Sequence, residues 1–287
     1  MRSKTTRALG CLVLAFVLLI AGGVGAFWLL RSRNLTEPVP GQQRCVATAN
    51  NKSAVVDLEQ AHFASIIAGV AVRRGLPPRA ASIALATVYQ ETGIRNLDYG
   101  DRDSVGLFQQ RPSQGWGTEK QLMNPAYAAG KFYDVLVKMD NWESDDINDV
   151  AQKVQRSGNP EAYRDHEADA RVLASAFTGQ SPAGFSCLDR SGTPGDIQGL
   201  RSSLQQTFGN IDDSADGLVI TVRADSSRRA WAYAHYAVAN ASLYGVTTVK
   251  IRNRSWQTQD FNLPDWQEVS PTLKSGRVEI TVREPPQ

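Results

Sequence analysis

The longest apolar run in the chain is Ala8 to Leu30, which carries no charged residue. A helix needs about 20 apolar residues to cross a hydrocarbon core, so the run predicts a single transmembrane helix, with residues 1–30 forming a short leader and an anchor. Arg2, Lys4 and Arg7 precede the run, and the shortness of that leader puts the N-terminus in the cytoplasm. The expected localisation is therefore a single-pass membrane protein with its bulk extracytoplasmic. A cleaved signal peptide is the competing reading. Its apolar region spans roughly 7–15 residues and ends at small residues, whereas this run is longer and ends in Phe27-Trp28.

Residues 31–56 show neither helical nor strand periodicity and read as a polar tether stiffened by Pro38 and Pro40. Helical period sets in at Asp57, which can cap a helix running to Arg74, with Gly75 in the position of a C-terminal cap. Pro77-Pro78 opens a second helix, "PRAASIALATVYQE", that Gly93 closes. Further helices are expected in "NPAYAAGKFYDVLVKM", in "DINDVAQKVQ" and from Pro160 onward, where Tyr163, His166, Ala170 and Phe177 share a face. Together residues 57–179 read as one mainly helical domain. Gly, Pro and Ser then mark residues 180–197 as a linker. In residues 198–287, "GLVITVR", "TTVKIR" and "GRVEITVR" alternate as strands, with an Ala-rich helix after the first. That stretch predicts a small α+β accessory domain with a β-α-β element. Its aromatics, Trp231, Tyr233, Tyr236, Trp256 and Trp266, fit core packing better than a ligand surface.

A formal net charge of +2 offers no electrostatic reason for a nucleic-acid partner. The only expected lipid contact is the membrane through one helix. Cysteine usage changes the picture more. Cys11 lies in the apolar run, which leaves Cys45 and Cys187 as a pair, and a disulfide between them is expected. The three histidines show no metal-ligand spacing, so neither a metal nor a cofactor is expected.

The chemistry concentrates in "QETGIRNLDYGDRDSVGLFQQRPSQGWGT", Gln90 to Thr118. Counting by helical steps, Glu91 shares its face with Ala80, Ala84, Thr87 and Val88, a small and mostly apolar surface that should bury it on the last turn. Burial and the negative end of the helix both favour a protonated carboxyl, as a general acid requires. The turn-rich stretch that follows brings Asp101, Asp103 and Gly106, then Gln109 and Gln110, whose amides suit a polyhydroxylated ligand. Trp116 between two glycines is either a platform for a sugar ring or core.

Glu91-Thr92, followed fifteen residues on by Gly106-Leu107-Phe108-Gln109, resembles the Glu-Ser and Gly-Leu-Met-Gln pattern of the lysozyme-like domain shared by soluble lytic transglycosylases and goose-type lysozymes. The strings "DSVGLFQQRPSQGWGT" and "AQKVQRSGNPEAY" are similar to a membrane-anchored subgroup in Gram-positive-type bacteria. The resemblance implies a peptidoglycan-cleaving glycosidase acting on the bond between N-acetylmuramic acid and N-acetylglucosamine, with Glu91 as general acid and base. It also implies glycan strands as the partner and Gly106, Gln109, Gln110 and Trp116 as substrate contacts. Attack by the sugar's own 6-hydroxyl would make it a lytic transglycosylase. Water positioned by Asp101 or Asp103 would make it a hydrolytic muramidase, and a cleft that binds without cleaving would make it a scaffold. Thr92 replaces the family's serine but keeps the hydroxyl. The family's Ala-Tyr-Asn segment has no plain counterpart, and Gln155 and Ser157 stand roughly in its place. The C-terminal domain is left for an envelope protein partner.

Overall fold

The computed structural model describes residues 41–155 and 163–284. The expected transmembrane segment, residues 8–30, lies outside them. Among the described residues no helix is long and apolar enough to cross a membrane. That finding corrects both the fold class and the single-pass membrane localisation expected from the sequence. The fold described is α+β with two antiparallel sheets.

Residues expected as a tether open the structure with two strands, β1 (Arg44–Ala49) and β2 (Lys52–Val56), joined by a turn in which Asn50 and Asn51 both have positive φ. Two such residues give the twist that a tight hairpin needs. The alternation in β1 is real but muted, because its buried positions are Cys45, Ala47 and Ala49. A third strand, β3 (Phe185–Leu188), comes from the stretch expected as a linker and pairs with β1, giving the order β2-β1-β3. Cys45 and Cys187 face each other in that register and form a disulfide.

Between these strands run the helices α1 (Leu58–Arg73), α2 (Pro78–Thr92), α3 (Glu119–Leu122), α4 (Pro125–Leu136), α5 (Ile147–Gln155) and α6 (Glu167–Phe177). Their starts follow local chemistry. Asp57 and Gln60 form a reciprocal capping box on α1, and the Asn124 side chain accepts from the Tyr127 amide at the start of α4. The last of these helices starts at Glu167, after a 3₁₀ turn at Arg164–His166, and the start expected at Pro160 lies outside the described residues.

The remainder comprises α7 (Ile197–Phe208), β4 (Asp212–Asp216), β5 (Val219–Arg223), α8 (Ser227–Ala239), α9 (Ala241–Tyr244), β6 (Val246–Ile251), β7 (Arg254–Gln257), β8 (Gln267–Glu268) and β9 (Arg277–Val282). Its sheet has the order β4-β5-β9-β6-β7-β8. Both β5 and β6 run antiparallel to β9 between them, so β5, α8 and β6 form a split β-α-β unit.

Gly41 to Gln287 form one compact unit. The reason is α1, which packs against α2 and α4 as well as α7 and α8. Gly69 permits the approach of α7, since a Cβ there would stand 2.3 Å from Thr207 Cγ2. Asn240 at the end of α8 reaches back to α1, donating from Nδ2 to Ser65 Oγ at 3.1 Å and meeting His62 Nδ1 at 2.5 Å. A single core therefore runs from the helices into the second sheet.

Candidate active site

The position of Glu91 follows from how α2 is built. Its buried faces carry Ala80, Ala81, Ala84 and Ala86, small enough for α6, α5 and α1 to pack closely around it. The helix stops at Gly93, whose φ of 62° is left-handed, and the N–H groups of Gly93 and Ile94 return to the carbonyls of Tyr89 and Val88. Glu91 thus sits one residue before the end, half-buried at the rim of the core. Its Oε1 accepts a hydrogen bond of 2.8 Å from the Tyr163 hydroxyl. Tyr163 is 1% exposed, and its backbone N–H donates to Oδ1 of the buried Asn148 on α5 at 3.1 Å.

The stretch after α2 is held to the helix end by two clamps. Thr92 Oγ1 donates to the Leu107 carbonyl at 3.0 Å, and Gln155 Nε2, on the last residue of α5, donates to the Phe108 carbonyl at 2.8 Å. Leu107 and Phe108 themselves are fully buried and anchor the stretch from below. Gly106 is required here for two reasons. Its φ is +76°, and a Cβ would lie 2.6 Å from the Leu122 carbonyl oxygen.

The expected substrate contacts fare differently. Gln109, at φ +47°, folds its amide back to donate to the carbonyls of Tyr99 and Gly106, both at 3.2 Å. Gln110 is 2% exposed and donates to the Ala128 carbonyl at 3.3 Å, while its buried Oε1 has no partner among the described residues. These two amides shape the stretch from within. Gln155 is likewise a clamp on backbone, and Ser157 lies outside the described residues.

Asp103 is committed at both carboxylate oxygens. Oδ1 accepts from Arg111 Nε at 2.7 Å, Oδ2 accepts from the Ser113 N–H at 2.7 Å, and together these hold its carboxyl far below the usual carboxylate range. Asp101 points to solvent, with its side chain 90% exposed and Arg102 Nε 3.9 Å away. Trp116 is half-buried and forms one wall of a cavity of about 330 Å³ beside α4 and α5. A larger cavity of about 520 Å³ lies between the α1–α2 turn and the start of α8, and Glu91 does not line it. Among the described residues no cluster of His, Cys, Asp and Glu could hold a metal ion.

One contact escaped the sequence reading: Tyr163, 72 residues from Glu91, was placed on a helix face and not beside the carboxyl it meets. His166 stacks on Tyr89 with ring centroids 5.2 Å apart and meets Gln90 Oε1 at 3.2 Å, beside the end of α2.

No family model matches the chain, and no curated protein matches it.

Proposed function

We propose that this protein is a peptidoglycan-cleaving glycosidase that acts on the bond between N-acetylmuramic acid and N-acetylglucosamine, with Glu91 as its general acid and base. The observation that carries this reading is the setting of Glu91: a half-buried carboxyl on the last turn of α2, one oxygen held by Tyr163, bordering a stretch clamped by Thr92 and Gln155. Glu91 gives its proton to the glycosidic oxygen as the bond to C1 breaks and positive charge develops at that carbon. The resulting carboxylate then takes the proton of the sugar's 6-hydroxyl as that oxygen attacks C1. A 1,6-anhydro product forms, and Glu91 regains its proton without a second carboxylate.

Of the two carboxylates that could position a water for hydrolysis, Asp103 is engaged with Arg111 and Ser113 whereas Asp101 stays exposed, so the products decide between the intramolecular route and hydrolysis.

Mass spectrometry of peptidoglycan after incubation with the protein tests the reading directly. The expected products are anhydro-muropeptides, and Glu91→Gln should lower their formation by about 10²–10⁴-fold, the usual contribution of a general acid, with the fold intact. Undiminished cleavage by that variant would remove Glu91 from the chemistry. Reducing-end products would replace the transglycosylase with a muramidase, and strands bound but never cut would leave a glycan-binding scaffold.

A further inference from the structure

The cavity walled by Trp116 has a composition that the proposed cleavage chemistry does not use. Three amines surround it: Lys131 on α4, Lys138 just beyond that helix and Lys153 on α5. Val135, Met139 and the buried Val154 supply the apolar part of its lining. The carboxylate in its lining, Asp134, is already neutralised by Arg74 at 2.5 Å. Lys153 pairs with Asp145 outside the cavity at 3.2 Å, with the lysine side chain 57% exposed, a pair that a ligand can replace at small cost. Lys131 rests 5.5 Å over the Tyr127 ring, which orients its ammonium group without neutralising it. The cavity thus brings three lysines together with apolar side chains in one lining.

This cavity is joined to the Glu91 site by covalent and hydrogen-bonded links. Val154 lines it, and the next residue, Gln155, donates to Phe108, whose neighbour Leu107 accepts from Thr92 at the end of α2. The backbone carbonyl of Trp116 accepts from the Tyr127 hydroxyl at 3.4 Å, which ties the stretch to α4.

We infer that the cavity of Trp116, Lys131, Lys138 and Lys153 is a subsite for a carboxylate carried by the glycan, so that the protein selects acidic strands over neutral ones. The inference rests on the glycosidase reading for the identity of the strand, and on the cavity alone for the sign of its charge. The carboxylate can come from the lactyl group of muramic acid or from the peptide stems attached to it.

Titration calorimetry on the full chain carrying Glu91→Gln, which prevents turnover, tests this with three ligands. They are solubilised strands that keep their peptide stems, strands stripped of peptides so that the lactyl carboxylate is free, and neutral chitohexaose. Replacing Lys131, Lys138 and Lys153 together by Gln should weaken binding of an acidic ligand about tenfold, as expected for a few solvent-exposed ion pairs, while leaving chitohexaose unchanged. Loss confined to stem-bearing strands assigns the peptide carboxylates, and loss extending to stripped strands assigns the lactyl group. Equal binding of acidic and neutral ligands, or an unaffected triple variant, overturns the subsite. Cleavage measured alongside on the otherwise unaltered chain keeps the two proposals separate. Glu91-dependent cleavage with no lysine effect removes only the subsite, whereas lysine-dependent binding without any cleavage removes only the glycosidase.

Discussion

Trp116 and Trp256 belong to regions built on opposite terms. Trp256 sits in strand β7, fully buried, with its indole N–H donating to Ser186 Oγ on β3 at 2.9 Å, so that it joins the two sheets. In the same core Trp231 and Trp266 meet edge to face at 5.1 Å, and the Trp266 indole donates to the Phe185 carbonyl at 2.8 Å. Trp116 stands between Gly115 and Gly117, whose φ values are +81° and +148°, and remains half-buried on a cavity wall. Residue type did not decide between these fates. Strand alternation carries one aromatic into a core that satisfies its N–H, whereas flanking glycines of positive φ hold the other half-buried at the edge of the core.

The sharpest way to break this comparison is to truncate both. Trp256→Ala removes a fully buried side chain and the bridge to Ser186, and should cost about 3–5 kcal/mol in denaturant unfolding. Trp116→Ala should cost less than about 1 kcal/mol, with its effect appearing in strand binding instead. Comparable losses of stability from the two would erase the distinction between core and site.

A second difference concerns titration. His235 lies fully buried beside Trp231 and Trp266, its Nδ1 at 2.8 Å from the Ala176 carbonyl and its Nε2 without a partner among the described residues. Burial pushes its pKa down from 6.5 to about 4. Between those values the unfolded chain binds a proton that the folded one refuses, so stability rises with pH across the window. The contribution is complete above the unfolded pKa and is lost as pH falls from about 6.5 towards 4, by about 3 kcal/mol in all. His62, also lowered by burial, adds in the same direction. Unfolding free energies at pH 7 and pH 4.5 should therefore diverge less in His235→Phe than in the parent. An equal difference in both proteins would mean that His235 accepts its proton in the folded state.

The two regions also differed in how far their sequence could be read. Helices α1, α2 and α4 announce themselves locally, through Asp57 with Gln60, Pro77-Pro78 with Gly93, and Asn124-Pro125. Strands β1 and β3 do not. Their core positions include residues as small as Cys45, Ala47 and Cys187, and their pairing spans a sequence separation of 142, so neither strand looks like one until the other is present. The division at residues 180–197 failed to register for a related reason: Gly, Pro and Ser there surround four consecutive buried residues, Phe185–Leu188. In the site, the place of Glu91 at the end of α2 was legible from helical counting. The roles of Gln109 and Gln110 were not, because a polar side chain near a candidate cleft can be claimed by backbone carbonyls that no pattern reveals.

The smallest expected effect tests the contact that no spacing disclosed. The Tyr163 hydroxyl donates to Glu91 Oε1 at 2.8 Å, while its ring is packed in the core. Tyr163→Phe keeps the ring and removes the hydroxyl, so stability should change by about 1 kcal/mol, the net worth of one hydrogen bond. Under the proposed glycosidase, the substitution releases the orientation of the Glu91 carboxyl, and a contribution of about 1.4 kcal/mol to the barrier corresponds to a tenfold fall in kcat/KM. A positioning role predicts that the fall resides in kcat with KM held, since the hydroxyl aims Glu91 rather than touching the strand. A purely structural tyrosine would show the opposite: a lower unfolding midpoint with kcat unchanged for the folded fraction. Tyr163→Ala cannot make this separation, because it also empties the core beneath Glu91.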